Sequence, residues 1–332
     1  MKVKIRGIYK TIALLLAVLL AALVIFYFWA GSGTLSEDQL SWVKRYRQTA
    51  NPPTAAPPDT FRLMTYNIGY LSALANNRPL RKSQTFFEAN MSRFLTFLRE
   101  TPMDVIAFQE IDFDSHRSYH VDQLETIAVE AGYPYAAAAV NWDKRYVPFP
   151  YWPPSAHFRR LLSGQAVLSR YPVQSAARVV LARVRNKPFF WRAFYLDRLA
   201  QVVHIHLPAH PLVVINVHLE AFDRRTREIQ AREVLDIYRA YKDRQPVLLV
   251  GDFNCVPPET DYTQETTIGL FLQEESLKPV RLDTPTFPAP GPDRQLDYIF
   301  YTHQTITPVD AYTAGVHSSD HLPLVMEFKF NK

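Results

Sequence analysis

Apolar runs of strand length in this chain stop on residues able to hold a metal or move a proton. FRLMTY ends at Asn67, VIAFQ at Glu110, VVINV at His218 and VLLVG at Asp252, with Asn254 two residues on; Asp297 heads DYIFY, and Asp320 and His321 follow Ser319. Loops at strand ends are where α/β scaffolds display reactive groups, because the apolar strand fixes the backbone while the terminal side chain reaches solvent. Two residues apart on an extended segment, Asp252 and Asn254 project to the same face. Taken singly, each residue also has an ordinary reading: Asp252 and Asn254 suit a turn, and Glu110 suits a solvated strand end. The single cysteine, Cys255, excludes an intramolecular disulfide and a cysteine-rich zinc site, so a metal here takes oxygen and nitrogen ligands.

The elements that must position these residues read as α/β punctuation. FRLMTYN, DVIAFQE, PVLLVGD, LDYIF and LPLVMEF have strand length and composition, as do residues 165–169, 178–184, 199–207 and 212–217, while 83–100, 122–131 and 224–241 read as amphipathic helices. Consecutive strands without intervening helices predict mixed sheets rather than one doubly wound parallel sheet. The Pro- and aromatic-rich segment 142–158 reads as a loop, either a flap packed on the domain or a contact with substrate or bilayer. Of the 332 residues only 10 are Gly, and no GxGxxG or GxxxxGK[ST] loop occurs, which removes most nucleotide-cradling folds.

Ahead of this body, residues 11–30 run for 20 residues without a charge, enough at about 1.5 Å per residue to span a hydrocarbon core of about 30 Å. Lys2, Lys4, Arg6 and Lys10 precede the run and no acid occurs before Glu37, so the positive-inside rule leaves residues 1–10 in the cytoplasm and places the rest across the membrane. A cleaved signal peptide is the rival reading, with small residues at Ala30-Gly31-Ser32; the length of the apolar run favours the uncleaved anchor. Residues 31–59 read as a polar and then Pro-rich linker, with four prolines between Asn51 and Asp59, and 60–332 as the catalytic domain. The net charge of +5 belongs mostly to the leader: residues 1–59 hold seven basic and three acidic side chains, leaving the body near +1. That body carries no global bias toward a polyanion, although Arg224, Arg225 and Arg227 could form a local stripe.

TYN at 65–67, QE at 109–110, SGQAVLSRYP at 163–172, NVH at 216–218, GDFN at 251–254, LDYIF at 296–300 and SDH at 319–321 together resemble, in order, the motifs of the endonuclease/exonuclease/phosphatase superfamily. That group includes DNase I-like nucleases, apurinic endonucleases, inositol polyphosphate 5-phosphatases and neutral sphingomyelinases. The resemblance covers residues 60–330 and implies an α/β (α+β) fold, a four-layer sandwich of two mixed β-sheets flanked by helices, here preceded by one transmembrane helix.

It also implies phosphoester hydrolysis assisted by Mg²⁺, or Mn²⁺ in its place. By that resemblance Glu110 and Asn67 are metal ligands, and Asp320 is a further ligand or a support for its neighbours. Asp252 is the general base, with His321 the other candidate, and Asn254 donates to the phosphate or to the attacking water. His218 and His321 donate to the transition-state oxygens, with Asp297 as the carboxylate partner of His321. Arg117, in the loop with His116 and His120, is either a phosphate clamp or a solvated loop residue. His204, His206 and His210 read as ordinary histidines rather than a metal cluster, and Cys255 as a small packing residue. The expected substrate is a phosphodiester, a lipid headgroup first and nucleic acid second, with a catalytically inactive binding domain as a third reading; no obligate protein partner is implied.

Overall fold

In the computed structural model, residues 2–46, 59–76, 78–208, 210–257 and 266–331 are described; most of the Pro-rich stretch, 51–58, lies outside them. After a long helix α1 (Lys2–Gly31), five strands β1 (Ser41–Arg45), β2 (Phe61–Asn67), β3 (Val105–Asp112), β4 (Tyr135–Val147) and β5 (Arg159–Ser169) enter one sheet. The next six, β6 (Val173–Val180), β7 (Leu199–Leu207), β8 (His210–His218), β9 (Val247–Asp252), β10 (Leu277–Pro279) and β11 (Asp297–Thr302), build a second. The chain then returns to the first with β12 (Ile306–Thr313) and β13 (Leu324–Phe330). The orders are β1-β4-β5-β3-β2-β13-β12 and β10-β11-β9-β8-β7-β6. Both sheets are mixed, with β2–β3 and β8–β9 parallel and the remaining pairs antiparallel.

Period-two alternation divides each strand between two cores. Leu63 of β2 and Leu248 and Val250 of β9 meet between the sheets, with Val105, Val214, Ile299 and Met326. Their neighbours Met64 and Tyr66 turn outward under α2 (Gln84–Glu100) and α3 (Gln123–Glu130). On the other side Val247 and Leu249 lie under α5 (Arg224–Tyr241) and α6 (Thr267–Leu272), the short α4 (Phe189–Arg192) standing apart before β7. Helices α2, α3, α5 and α6 are each started by a side-chain cap, from Ser83, Asp122, Asp223 and Thr266. The expected four-layer sandwich results.

Amides tie the two sheets together. Asn216 of β8 accepts from Gln109 Nε2 of β3 at 2.7 Å and donates to Phe108 O at 3.0 Å and Gln201 Oε1 at 3.1 Å, while Gln165 of β5 donates to Asn216 O at 2.9 Å. All four side chains are fully buried, where an unpaired amide would be costly.

Three expectations change. Residues 31–59 are not all linker, because Ser41–Arg45 is the edge strand beside β4, so the folded body begins before residue 60. The segment 142–158 is strand as far as Val147, since its prolines begin only at 148. The strand expected at 178–184 lies earlier, at Val173–Val180. Helix α1 is long and apolar enough from Gly7 to Gly31 to cross a membrane, a property shared by spans and signal sequences.

Candidate active site

Strand register gathers the polar residues. On three adjacent strands His218 pairs with Asp252 and Asp252 with Asp297, so the carboxyl end of β9 carries one acid flanked by a histidine and a second acid. Gly251 precedes Asp252 at φ +138°, and a Cβ there would run into the Val217 carbonyl, so only glycine lets β8 and β9 close at this point. From the other sheet, β2 delivers Asn67 and β3 delivers Glu110. Glu110 occupies a bulge between Phe108 and Ile111 with a left-handed φ of +52°, a strained conformation of the kind concentrated at functional positions.

Two hydrogen bonds close the site across the sheets. Asn67 Nδ2 donates to Asp252 Oδ2 at 2.9 Å, and His321 Nδ1 meets Asp297 Oδ2 at 2.8 Å. Thr286 Oγ1 donates to the same Asp297 oxygen at 2.6 Å, while Asp297 Oδ1 is buried without a partner among the described residues. Asp252 Oδ2 also lies 3.5 Å from His218 Nε2 and 3.9 Å from His321 Nε2, so one carboxylate oxygen faces three nitrogens. Its Oδ1 accepts the Asn254 N–H at 2.9 Å, which folds the GDFN turn back on itself and sets Asn254 at φ +49°. Asn254 Nδ2 donates to Leu219 O at 3.0 Å, so one of its two amide hydrogens faces the protein rather than the cleft.

Burial and charge divide the protonation states. Burial lifts Asp252 above the usual carboxylate range, and Asp297 adds to it, against the opposing charge of His321 and the bond from Asn67. Burial alone would discharge His321, but the charge and hydrogen bond of Asp297, with Asp252 and Asp320, more than reverse this and raise it to about 10. His218 is pushed well down by burial, then by Arg198 and His321, and is neutral at pH 7; its Nδ1 is buried and has no partner among the described residues. A buried acid thus lies beside a charged histidine and a neutral one, the division expected of acid and base partners.

Beside this group stands a second acidic pair. Asn76 Nδ2 donates to Glu110 Oε2 at 3.1 Å and to Asp320 Oδ1 at 3.4 Å, so one amide serves two acids. Burial, then the Asp320 charge, raises Glu110. Among the described residues Asn67 Oδ1 accepts only the Gly69 N–H at 3.1 Å, leaving a lone pair. Glu110, Asp320 and Asn67 therefore form an all-oxygen donor set with two acids side by side, which fits a hard divalent cation. Asp252, Asp297 and His321 also place ligand atoms within 4.8 Å of one another, a set able to hold a metal. There the His321 imidazolium already supplies a positive charge.

Residues 64–321 match the model of the endonuclease/exonuclease/phosphatase family. The chain belongs to that family. Among solved structures it is similar to an endonuclease/exonuclease/phosphatase from Beutenbergia cavernae at 24% identity, covering 82% of this chain and 72% of that one with a TM-score of 0.62. The catalytic domain of human Nocturnin with bound sulfate aligns at 16% identity over 90% of this chain and all of that one, TM-score 0.57. ANGEL2, a 2′,3′-cyclic phosphatase in complex with adenosine-2′,3′-vanadate, aligns at 16% over 90% and 99%, TM-score 0.54. No curated protein matches the chain by sequence.

Eight of the nine sequence-predicted residues, Asn67, Glu110, His218, Asp252, Asn254, Asp297, Asp320 and His321, come together here. The ninth, Arg117, is tied to a protein acid rather than left unpaired. Its guanidinium forks onto buried Asp112, Nε to Oδ2 at 3.1 Å and Nη2 to Oδ1 at 2.9 Å, and lies 3.2 Å over the Tyr70 ring. His204 packs on Tyr241 and His210 on Phe330, without forming a metal cluster among the described residues. Family members are hydrolases of phosphoesters and generally use divalent metals. Asn76 and Thr286 were not visible in the sequence as site residues, because their role is contact with side chains far along the chain.

Proposed function

We infer that this protein is a membrane-anchored, divalent-metal-dependent phosphodiester hydrolase whose catalytic domain lies across the membrane from its N-terminus. The observation that carries the reading is Asp252 Oδ2 facing Asn67, His218 and His321 beside the acidic pair of Glu110 and Asp320. Asp252, lifted by burial, takes a proton from the attacking water, and Asn67 orients its carboxylate. His321, held charged by Asp297, donates to an oxygen of the phosphoester as negative charge develops there. Neutral His218 lies against the same carboxylate and adds a second donor, while Asn254 fixes the turn that carries Asp252 and keeps one amide hydrogen for the phosphate or the water. Glu110, Asp320 and Asn67 would hold Mg²⁺ or Mn²⁺, which neutralises phosphate charge and acidifies water when bound. The basic residues in the first turns of α1 and the uncharged run that follows them support the orientation. The assembled acid–base set weighs against an inactive binding domain.

The test uses the full chain in detergent, because a fragment starting at residue 60 would lack β1. It is offered a chromogenic phosphodiester, plasmid DNA, RNA and phospholipid vesicles, with Mg²⁺, Mn²⁺ or EDTA and with Glu110→Ala as control. Metal-dependent turnover lost in the variant is expected. Absence of turnover on every substrate would refute the reading, and cleavage of nucleic acid alone would make the protein an anchored nuclease.

A further inference from the structure

The end of α1 is docked on the catalytic domain. Phe26 packs edge-on against Tyr146 with ring centroids 5.7 Å apart, and Tyr27 meets both Phe189 and Phe194 at 5.8 Å. Tyr27 OH donates to Phe189 O at 3.2 Å, Lys144 Nζ to Gly31 O at 2.8 Å, and Arg145 Nε to Ser32 Oγ at 3.1 Å. The segments that receive the helix leave the two sheets at one edge. Gly164 of β5 pairs with both Ile111 of β3 and Val140 of β4, so β4 beyond Val140 runs past Glu110. Leu199 pairs with His218, so the segment before β7 runs past His218 and Asp252. That segment reaches back to the site: Tyr195 OH donates to Glu220 at 2.9 Å, and Arg198 Nε meets the same carboxylate at 3.3 Å, two residues after His218. The membrane end of the domain and its catalytic edge therefore lie at the same end of the sandwich.

Both segments expose aromatic rings beside the helix end. Trp152 is 76% exposed, Tyr151 and Phe189 67%, and Phe190 54%. Such rings are costly in water and favoured at the headgroup level of a bilayer. Arg145, Arg185, Lys187 and Arg192 are exposed on the same segments without an acid in ion-pair range among the described residues. The acids there, Asp143 and Asp197, are paired with Arg160 and with Arg178 and Arg183. A surface of exposed aromatic rings and cations outside ion-pair range of an acid, continuous with a spanning helix, fits the headgroup layer of the bilayer that holds the helix.

We propose that the catalytic edge faces this bilayer, seated in its headgroup layer by the loops carrying Trp152 and Phe190, and takes its phosphoester from a lipid there. The substrate half rests on the phosphodiester reading above; the seating half does not.

The experiment reconstitutes the full chain in lipid nanodiscs. Bimane is attached at Trp152→Cys, Phe190→Cys or, on the end of α3 that leads into the far end of β4, Val129→Cys, each in a Cys255→Ala background. Phospholipid brominated along its chains should quench the labels at 152 and 190 several-fold more than the label at 129. Equal quenching at all three positions would overturn the seating. In a second arm, Trp152→Glu with Phe190→Glu should lower hydrolysis of nanodisc phospholipid at least about tenfold, through lost local presentation, and leave a soluble chromogenic phosphodiester unaffected. Unchanged lipid hydrolysis would overturn the substrate half. Failure of the unmodified chain on the soluble diester with Mg²⁺ and Mn²⁺ would refute the phosphodiester reading instead, and the quenching result would still decide the seating.

Discussion

Replacing Asp297 by Asn keeps the shape of the His321 partner and removes its charge. Asp297 is fully buried, and its Oδ2 receives both His321 Nδ1 and Thr286 Oγ1. A rise of the histidine from 6.5 to about 10 corresponds to about 5 kcal/mol in favour of the charged ring, at about 1.36 kcal/mol per unit. Burial opposes that charge, so without Asp297 the ring is mostly neutral at pH 8 and a proton donor is missing. Removing one such donor costs about 10²- to 10³-fold in kcat. The assay is hydrolysis of a soluble chromogenic phosphodiester by the full chain from pH 5 to pH 10. The native rate should fall on the acid side as Asp252 is protonated, at a pH above the usual carboxylate range, and on the alkaline side near 10. In Asp297→Asn the alkaline limb should move several units toward acid. Stability follows the same sign: a histidine raised in the folded state stabilises fully below its unfolded value of 6.5 and loses that contribution as pH rises through about 10. The gap in unfolding free energy between native and variant proteins should therefore be wide near pH 6 and close above pH 10. A variant that kept its rate and its alkaline limb, or a gap flat across that window, would refute the coupling of His321 to Asp297.

Glu110→Gln should weaken Mg²⁺ and Mn²⁺ binding in titration calorimetry yet leave the metal-free melting temperature unchanged or raised, since a buried carboxylate beside Asp320 is removed; a lower metal-free melting temperature would contradict this. Arg117→Ala strands Asp112, which is fully buried, and should cost about 3–5 kcal/mol in urea unfolding. An effect on KM alone would restore Arg117 as a substrate clamp. Asn216→Ala leaves Gln109 and Gln201 without their partner between the sheets and should cost about 3 kcal/mol by the same measurement, at about 1–3 kcal/mol per stranded group; a loss under about 1 kcal/mol would show that the amides are dispensable.

The strand-end residues were legible because strand period and apolar composition locate where each strand stops, and ordered short motifs then bring Asn67, Glu110, His218, Asp252, Asp297 and His321 into one family pattern. What pattern cannot convey is pairing between distant segments. β1 looks like linker because two half-exposed and three exposed residues at a sheet edge carry little alternation, and only β4 opposite reveals it. Arg117 looks like a free cation because Asp112 reads as the ordinary tail of a strand; the bulge at Glu110 sets that acid inward. Thr286 and Asn76 lie in segments without periodic structure, and their role appears only through Asp297, Glu110 and Asp320.

Of the two hydrogen bonds that close the site, Asn67 to Asp252 joins one sheet to the other, and His321 to Asp297 joins the connection between β12 and β13 to the second sheet. Neither half of the sandwich contains a reactive centre by itself, so a fragment holding only one sheet has no partial activity to retain. During refolding, turnover should therefore return only once both sheets have formed and docked, and should lag any spectroscopic signal of strand formation.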